Sequence, residues 1–376
     1  MRIILAPDSY KGSFSSPEVA AAMARGLHRV LPAAELIELP LADGGEGTLE
    51  AVLMACGGRR LAIEAMTVAG QRCPVDIGLV READGVERVV IESALLIGLH
   101  LAPHLAVSER STVGLGDLIA ACVARGWRRF AIGLGGSGTN DGGAGLLQGL
   151  GARLLDRAGA EVLVQPARLN QIASVDLARA RTCLAEVDMQ ILCDVINPLC
   201  GPNGATATFG PQKGVQAAEV APLDAAIARF AALCEGDDPA PLAQTPGAGA
   251  AGGAGYALQL LGGYCTPGGK ALLQLADFDA LVAGADWVLS GEGRSDRQTL
   301  QGKLPAAVAE AAARHGVATT LLSGGIERAA REPLGEIFQG AFSIADGPLS
   351  LEEMQRDGLG LIEEAAAELA RLRYRI

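Results

Sequence analysis

This chain of 376 residues carries only four histidines and four lysines. So few histidines leave little material for histidine-based triads or for zinc hydrolysis. His100 and His104 have the i,i+4 spacing of a helical zinc pair, but Pro103 lies between them and disfavours a regular helix there. The eight cysteines are scattered, with no Cys-x-x-Cys pair, and read as small buried residues of a reducing compartment. No block of consecutive Lys/Arg occurs and the net charge is −12, which disfavours nucleic acid and anionic membranes as partners. No apolar run approaches the ~18 residues that span a bilayer. The opening "MRIILAPDSYKGS" is unlike a signal peptide, because Pro7-Asp8 ends its short apolar run. A cytoplasmic protein is expected.

Three catalytic signatures are absent as well. The nucleophile elbow G-x-S-x-G fails, since Gly135-Gly136-Ser137-Gly138 is followed by Thr139. Neither G-x-x-x-x-G-K-[ST] nor an H-R-D kinase loop occurs.

What the chain has is apolar content, at 49% hydrophobic residues, and enough length for two domains. Short apolar runs alternate with alanine-rich helical stretches. "RIILA" (2–6) and "ELIELPLA" (35–42) read as strands. Ser16 caps the helix between them, with Pro17 in its first turn. A second helix is expected over Glu46–Ala55. Residues 61–92 then hold three strand-like runs without a helix, an antiparallel meander. The α/β rhythm returns with a helix at 115–125, strands "RRFAIGL" (128–134) and "MQILC" (189–193), and a helix from about 143 between these strands. A Pro-Gly-Ala-rich stretch covers 236–255. Strands "WVLS" (287–290), "TTLLS" (319–323) and "AFSIA" (341–345) follow, then a C-terminal helix over 361–374. Alternation of this kind predicts parallel sheets. The breaks predict one domain from 1–60 plus 282–376 and a second, inserted domain over 61–281.

Acids recur just after the predicted strands: Asp8, Asp43 with Glu46, Asp141, Asp194, and Glu292 with Asp296. Ligands of open parallel sheets bind outside the carboxyl ends of the strands. Any one of these acids also suits a turn or a helix cap; their recurrence points to a shared acidic, glycine-lined site. Each lysine (Lys11, Lys213, Lys270, Lys303) adjoins a glycine, while arginine serves nearly everywhere else. A compact ammonium in a glycine loop suits an anion, phosphate or carboxylate. Together these features fit phosphoryl transfer. Gly133, Gly135 and Gly138 also spell G-x-G-x-x-G, the outline of a dinucleotide fingerprint, and Gly247, Gly249 and Gly252 repeat it. A nicotinamide-dependent oxidoreductase using Gly133–Gly138 is therefore one alternative. A non-catalytic hydroxy-acid sensor is another.

The segments "APDSYKGS" (6–13), "ADGGEGT" (42–48), "GLGGSGTNDGGAG" (133–145), "CDVINPLCGPNGAT" (193–206), "FGPQKG" (209–214), "GAAGGAG" (249–255) and "GEGRSDRQTLQGK" (291–303) resemble, in order, the type I bacterial glycerate kinases. Ser295 stands where that family usually has an aliphatic residue, Arg297 is rare there, and Lys270 lies where it seldom carries lysine. The resemblance implies two different α/β domains, one inserted into the other, with mainly parallel sheets, helices on both faces and the active site in the interdomain cleft. It also implies ATP- and Mg²⁺-dependent phosphorylation of D-glycerate, with 2-phosphoglycerate the expected product and 3-phosphoglycerate the lesser candidate. The partner is then a small molecule, and a homodimer is compatible with the reading.

On that basis Asp194, Asp296 and Lys11 are the candidate catalytic residues. Asp8, Ser9, Arg294, Asn140 and Asp141 are candidates for binding the acceptor. Gly135, Gly136, Ser137, Lys213 and Lys303 are candidates for nucleotide phosphate, and Asp43, Glu46, Asp194 and Glu292 for Mg²⁺. Asn197 stands with Asp194 as a further candidate.

Overall fold

The computed structural model describes residues 1–236 and 241–375, so part of the Pro-Gly-Ala-rich stretch at 236–255 lies outside the described residues. Along the chain the strands are β1 (Arg2–Pro7), β2 (Glu35–Glu38), β3 (Arg59–Met66), β4 (Arg72–Arg81), β5 (Glu87–Glu92), β6 (Arg129–Gly133), β7 (Arg153–Leu155), β8 (Ser174–Asp176), β9 (Asp188–Leu192), β10 (Tyr264–Thr266), β11 (Trp287–Ser295), β12 (Thr319–Ile326) and β13 (Gly340–Ser343). They fall into two compact units. Unit 1 comprises Met1–Asp43, Glu50–Gly57 and Pro267–Ile376, and unit 2 comprises Gly44–Leu49 and Gly58–Thr266.

Unit 1 holds a parallel sheet in the order β13-β12-β11-β1-β2. From β1 the chain winds outward to β2, and from β11 it winds the other way to β12 and β13. The sheet thus reverses direction between β1 and β11. The central strands β1, β11 and β12 are buried along most of their length, as a sheet covered by helices on both sides requires. Leu322 packs with Met23 and Ile362 on one face; its neighbour Leu321 packs with Ala309 and Leu334 on the other. The helix Ser16–Val30 is capped by Ser15, whose backbone N–H and hydroxyl both donate to Glu18. The expected cap at Ser16 is therefore displaced by one residue. Serine stands at both positions, and only Ser15 lies three residues before a carboxylate able to close a capping box.

The chain re-enters unit 1 at Pro267, earlier than the expected 282. The helix Gly268–Leu275 packs against the helix Leu304–Arg314, and a Cβ on Gly269 would lie 2.9 Å from Leu304 Cδ1. Residues 267–281 therefore belong with the last α/β block.

Unit 2 has a mixed six-stranded sheet in the order β10-β9-β6-β5-β4-β3. β3, β4 and β5 form the antiparallel meander, and β5, β6, β9 and β10 run parallel. β7 and β8 make a separate two-stranded hairpin. The core gathers Phe130 and Ile132 of β6, Ile191 of β9 and helix residues such as Leu118 and Phe230. Among the described residues no helix is long and apolar enough to cross a membrane.

Candidate functional site

In unit 1, a cavity of about 470 Å³ opens where β1 and β11 end. This is the place at which the strand order reverses, where an open α/β sheet leaves a crevice at its carboxyl edge. The Asp8 N–H donates to Gly291 O at 2.8 Å, continuing the β1–β11 pairing by one residue and fixing the carboxylate at the strand end. The side chain accepts from the Ser9 N–H at 2.7 Å. Asp8 is buried. Burial first, and then the Asp43 carboxylate, push its carboxyl up to about 7, against the opposing pull of Lys11. Lys11 itself is ion-paired with Asp43. Arg294, Asp296 and Lys303 also line the cavity, and Lys303 Nζ lies 3.8 Å from Asp296 Oδ1.

Glu292 lines the same cavity but is anchored from behind. Its Oε1 accepts from Ser295 Oγ at 2.7 Å and from Thr299 Oγ1 at 2.6 Å. Burial holds its carboxyl above the usual range, and the two hydroxyls and Lys303 oppose that shift. Ser295 is fully buried and also bonds Ser323 Oγ at 2.5 Å. The residue that departs from the family's pattern thus bonds Glu292 and Ser323. The cavity lining also includes the apolar side chains of Phe14, Ile344, Leu351 and Met354. None of these four stood out in the sequence, because strand-end acids and glycines drew the reading elsewhere.

Unit 2 carries the glycine loop between β6 and the helix Ala144–Gly149. Its glycines serve backbone packing. The Gly135 N–H donates to Gly44 O at 3.0 Å, and a Cβ on Gly135 would lie 2.4 Å from Gly45 Cα. At the loop's far end the Gly142 N–H donates to Gly252 O at 2.9 Å, and a Cβ on Gly252 would meet Thr139 O at 2.1 Å. Gly142, Gly143, Gly252 and Gly253 all have positive φ, which glycine adopts without penalty. The second G-x-G-x-x-G match, through Gly252, thus packs against Thr139 and Gly142, just past the first match, whose Gly133 and Gly135 pack against Gly44 and Gly45. The helix begins at Ala144, six residues after Gly138, so the first match lacks the helix N-terminus that a dinucleotide pyrophosphate requires.

Asp141 was expected to meet the acceptor. It is fully buried, and its carboxylate is taken up by the loop's own donors. Thr112 gives its N–H at 2.8 Å and its hydroxyl at 2.8 Å, and the Gly143 N–H adds a bond at 3.0 Å. Asp141 is the organiser of the loop. Ser137 is half-buried and Asn140 is buried. Asn140 Nδ2 donates to Thr206 Oγ1 at 3.1 Å, while its buried Oδ1 has no hydrogen-bond partner among the described residues.

Lys213, at the end of the helix Ala205–Lys213, reaches this loop. Its Nζ donates to Ser137 Oγ at 3.1 Å and to Thr139 O at 2.8 Å. Burial pulls the ammonium down to about 8; Asp141 opposes this and Arg110 adds to it. Arg110 is a residue the sequence did not single out, since arginine was read as surface charge. It is buried and bonds the backbone carbonyls of Leu105, Gly138 and Lys213.

The remaining acids divide between the units. Asp43 and Glu292 lie in unit 1, and Glu46 and Asp194 in unit 2. Glu46 is exposed beside the loop: a Cβ on Gly136 would lie 2.9 Å from its Cγ, and His100 Nδ1 stands 3.9 Å from its Oε1. Asp194 is exposed at the end of β9. Asn197 ties its own loop down, donating to Asn203 O at 2.8 Å. Among the described residues no three His, Cys, Asp or Glu side chains are grouped to hold a metal ion. Mg²⁺ asks for less, since one or two carboxylates complete its shell alongside substrate phosphates. Asp8, Asp43, Glu292 and Asp296, lining one cavity, fit that demand.

A sequence profile of the glycerate kinase family matches residues 3–374. The chain belongs to the glycerate kinase family. It is 41% identical over 376 residues to a glycerate kinase of Bacillus subtilis, covering 98% of this chain and 97% of that one. It is 34% identical to the glycerate 2-kinase of Escherichia coli, with the same coverage. A crystal structure assigned to glycerate kinase 2 of Salmonella typhimurium superposes with a TM-score of 0.85 at 35% identity, covering 100% of this chain and 98% of that one. The mixed α/β fold with mostly parallel sheets is thus the fold of a glycerate kinase, and the oxidoreductase alternative has no support from fold, loop or relatives.

Proposed function

We propose that this glycerate kinase family member transfers the γ-phosphoryl group of ATP to a hydroxyl of D-glycerate, giving 2-phosphoglycerate. The observation that carries the reading is the unit 1 cavity, where three separate segments bring acids and cations together at the reversal point of a parallel sheet. Phosphoryl transfer needs that mixture: cations and a metal for the phosphates, carboxylates for the metal and for the acceptor's proton.

Size and polarity favour a division of the substrates by unit: Lys303 and Asn140 keep their expected ligands, whereas Arg294 and Asp8 go to the nucleotide and Lys213 and Ser137 to the acceptor. The large, half-apolar cavity of unit 1 suits the nucleotide. Lys11, Arg294 and Lys303 hold its phosphates, and Asp43, Asp296, Asp8 and Glu292 supply the carboxylates for Mg²⁺. When bound, Mg²⁺ neutralises charge on the phosphate oxygens. The compact polar loop of unit 2 suits a three-carbon hydroxy acid. The Lys213 ammonium attracts its carboxylate, and Ser137 and Asn140 offer hydrogen bonds to its hydroxyls. Asp194, exposed at the end of β9, is the acid to accept the hydroxyl proton. The product's position is the one in the name of the Escherichia coli relative, glycerate 2-kinase.

The test is ADP release by purified protein with ATP and Mg²⁺. Release that depends on D-glycerate supports the kinase. Glycerate binding without ADP release would favour the sensor, and neither would remove glycerate as the acceptor.

A further inference from the structure

The lining of the unit 1 cavity falls into two unlike halves by chemistry. One is charged, the acids and cations of the segments that follow β1 and end β11; the other is apolar, Phe14, Ile344, Leu351 and Met354. Leu351 and Met354 are three apart on the helix Leu351–Tyr374, so they present one apolar face from its first turn. That turn is fixed by the capping box at Ser350, whose N–H and Oγ donate to Glu353 at 2.8 and 2.7 Å. Phe14 is held from behind: a Cβ on Gly358 of the same helix would lie 2.4 Å from Phe14 Cε2, so glycine there makes room for the ring. Leu351 keeps 71% of its surface exposed at the cavity.

We infer that this apolar wall is the subsite for the nucleotide's heteroaromatic base, with Met354 and Leu351 covering one face of the ring and Phe14 bordering it. The inference rests on the assignment of ATP to unit 1. A three-carbon acid has no apolar plane to offer such a wall and fills only a small part of about 470 Å³. A ligand with a polyanion at one end and a flat apolar ring at the other matches both halves at once. Met suits the contact because its flexible thioether adapts to a ring face.

The test separates the halves by using a ligand that lacks the base. The full-length protein and its Leu351→Asp and Met354→Ala variants are titrated calorimetrically with Mg-ATP and, separately, with Mg-tripolyphosphate. The expected result is ATP binding weakened about tenfold in each variant, with tripolyphosphate affinity unchanged. Equal weakening of both ligands, or of neither, would overturn the base subsite while leaving unit 1 as the phosphate site. Failure of the wild-type protein to bind either ligand would overturn the nucleotide assignment and this inference with it. Leu351 is exposed, so Leu351→Asp keeps the test open if Met354→Ala fails to fold.

Discussion

Lys213 Nζ donates to Ser137 Oγ at 3.1 Å, joining the end of one helix to the middle of the glycine loop. The bond aims an ammonium, held down to about 8 by burial, at the loop's polar edge. If this cation attracts the glycerate carboxylate, kcat/KM for glycerate falls as pH rises through about 8. The stability effect has the opposite sign. Between about 8 and the ordinary 10.5 the unfolded chain binds more protons at this lysine than the folded one, so stability contributed by Lys213 rises with pH. Activity lost without any loss of melting temperature is therefore the expected signature. Because the chain has four lysines, ¹³Cε-lysine NMR can follow Lys213 directly.

Asp8 gives a second pH dependence. Its carboxyl is raised to about 7 by burial and by Asp43, so between its ordinary 3.8 and 7 the folded chain binds the extra proton. Its contribution to stability falls as pH rises across that window and is at its lowest above 7. Asp8→Asn should raise the melting temperature of the ligand-free protein at pH 8, with the gain shrinking towards pH 4. An unchanged melting temperature at pH 8 would mean that the burial is relieved in solution.

Asp141 is predicted to act on stability before activity. Replacing it with alanine strands the Thr112 and Gly143 N–H groups and removes the carboxylate nearest to Lys213. A loss of roughly 3–5 kcal/mol in urea unfolding is expected, as for one partner removed from a buried charged network.

Asp194→Asn should lower turnover by orders of magnitude with the fold intact, since the side chain is exposed and the change is nearly isosteric. Circular dichroism and glycerate-dependent ADP release check both halves. Near-normal turnover would remove Asp194 from the proton-transfer role.

Ser295→Ala removes one of the two hydroxyls that hold Glu292 and leaves Thr299 in place. The expected loss is about 1 kcal/mol of stability. A rise in the KM for ATP by less than about threefold should accompany it, smaller than that of Thr299→Val combined with Ser295→Ala.

The parallel strands other than β10 were readable because each is a short apolar run between helical stretches, and the meander at 61–92 because no helix separates its three runs; β10 is only three residues, Tyr264–Thr266, and carries no such run. Strand-end acids were readable for the same reason: Asp8 and Asp194 lie just past a strand's carboxyl end, and Glu292 lies within the last residues of β11, which runs on to Ser295. What each acid does was not readable. Asp141 and Asp8 share the same sequence setting, yet one is consumed by Thr112 and its own loop and the other faces a cavity. That difference depends on Thr112, 29 residues away, which no local pattern reports. Arg110 was passed over because its partners are carbonyls, and carbonyls carry no sequence signature. The apolar wall was missed because Leu351 and Met354 look like any amphipathic first turn until Phe14 is brought beside them. The re-entry at Pro267 was missed because Gly268–Leu275 declares itself only through its contact with Leu304–Arg314.

The most direct test is ³¹P NMR of purified protein with ATP, Mg²⁺ and D-glycerate. The account predicts glycerate-dependent loss of the ATP γ-phosphate signal and growth of a 2-phosphoglycerate resonance. ATP left intact in the presence of bound glycerate, or phosphate released only to water, would contradict it.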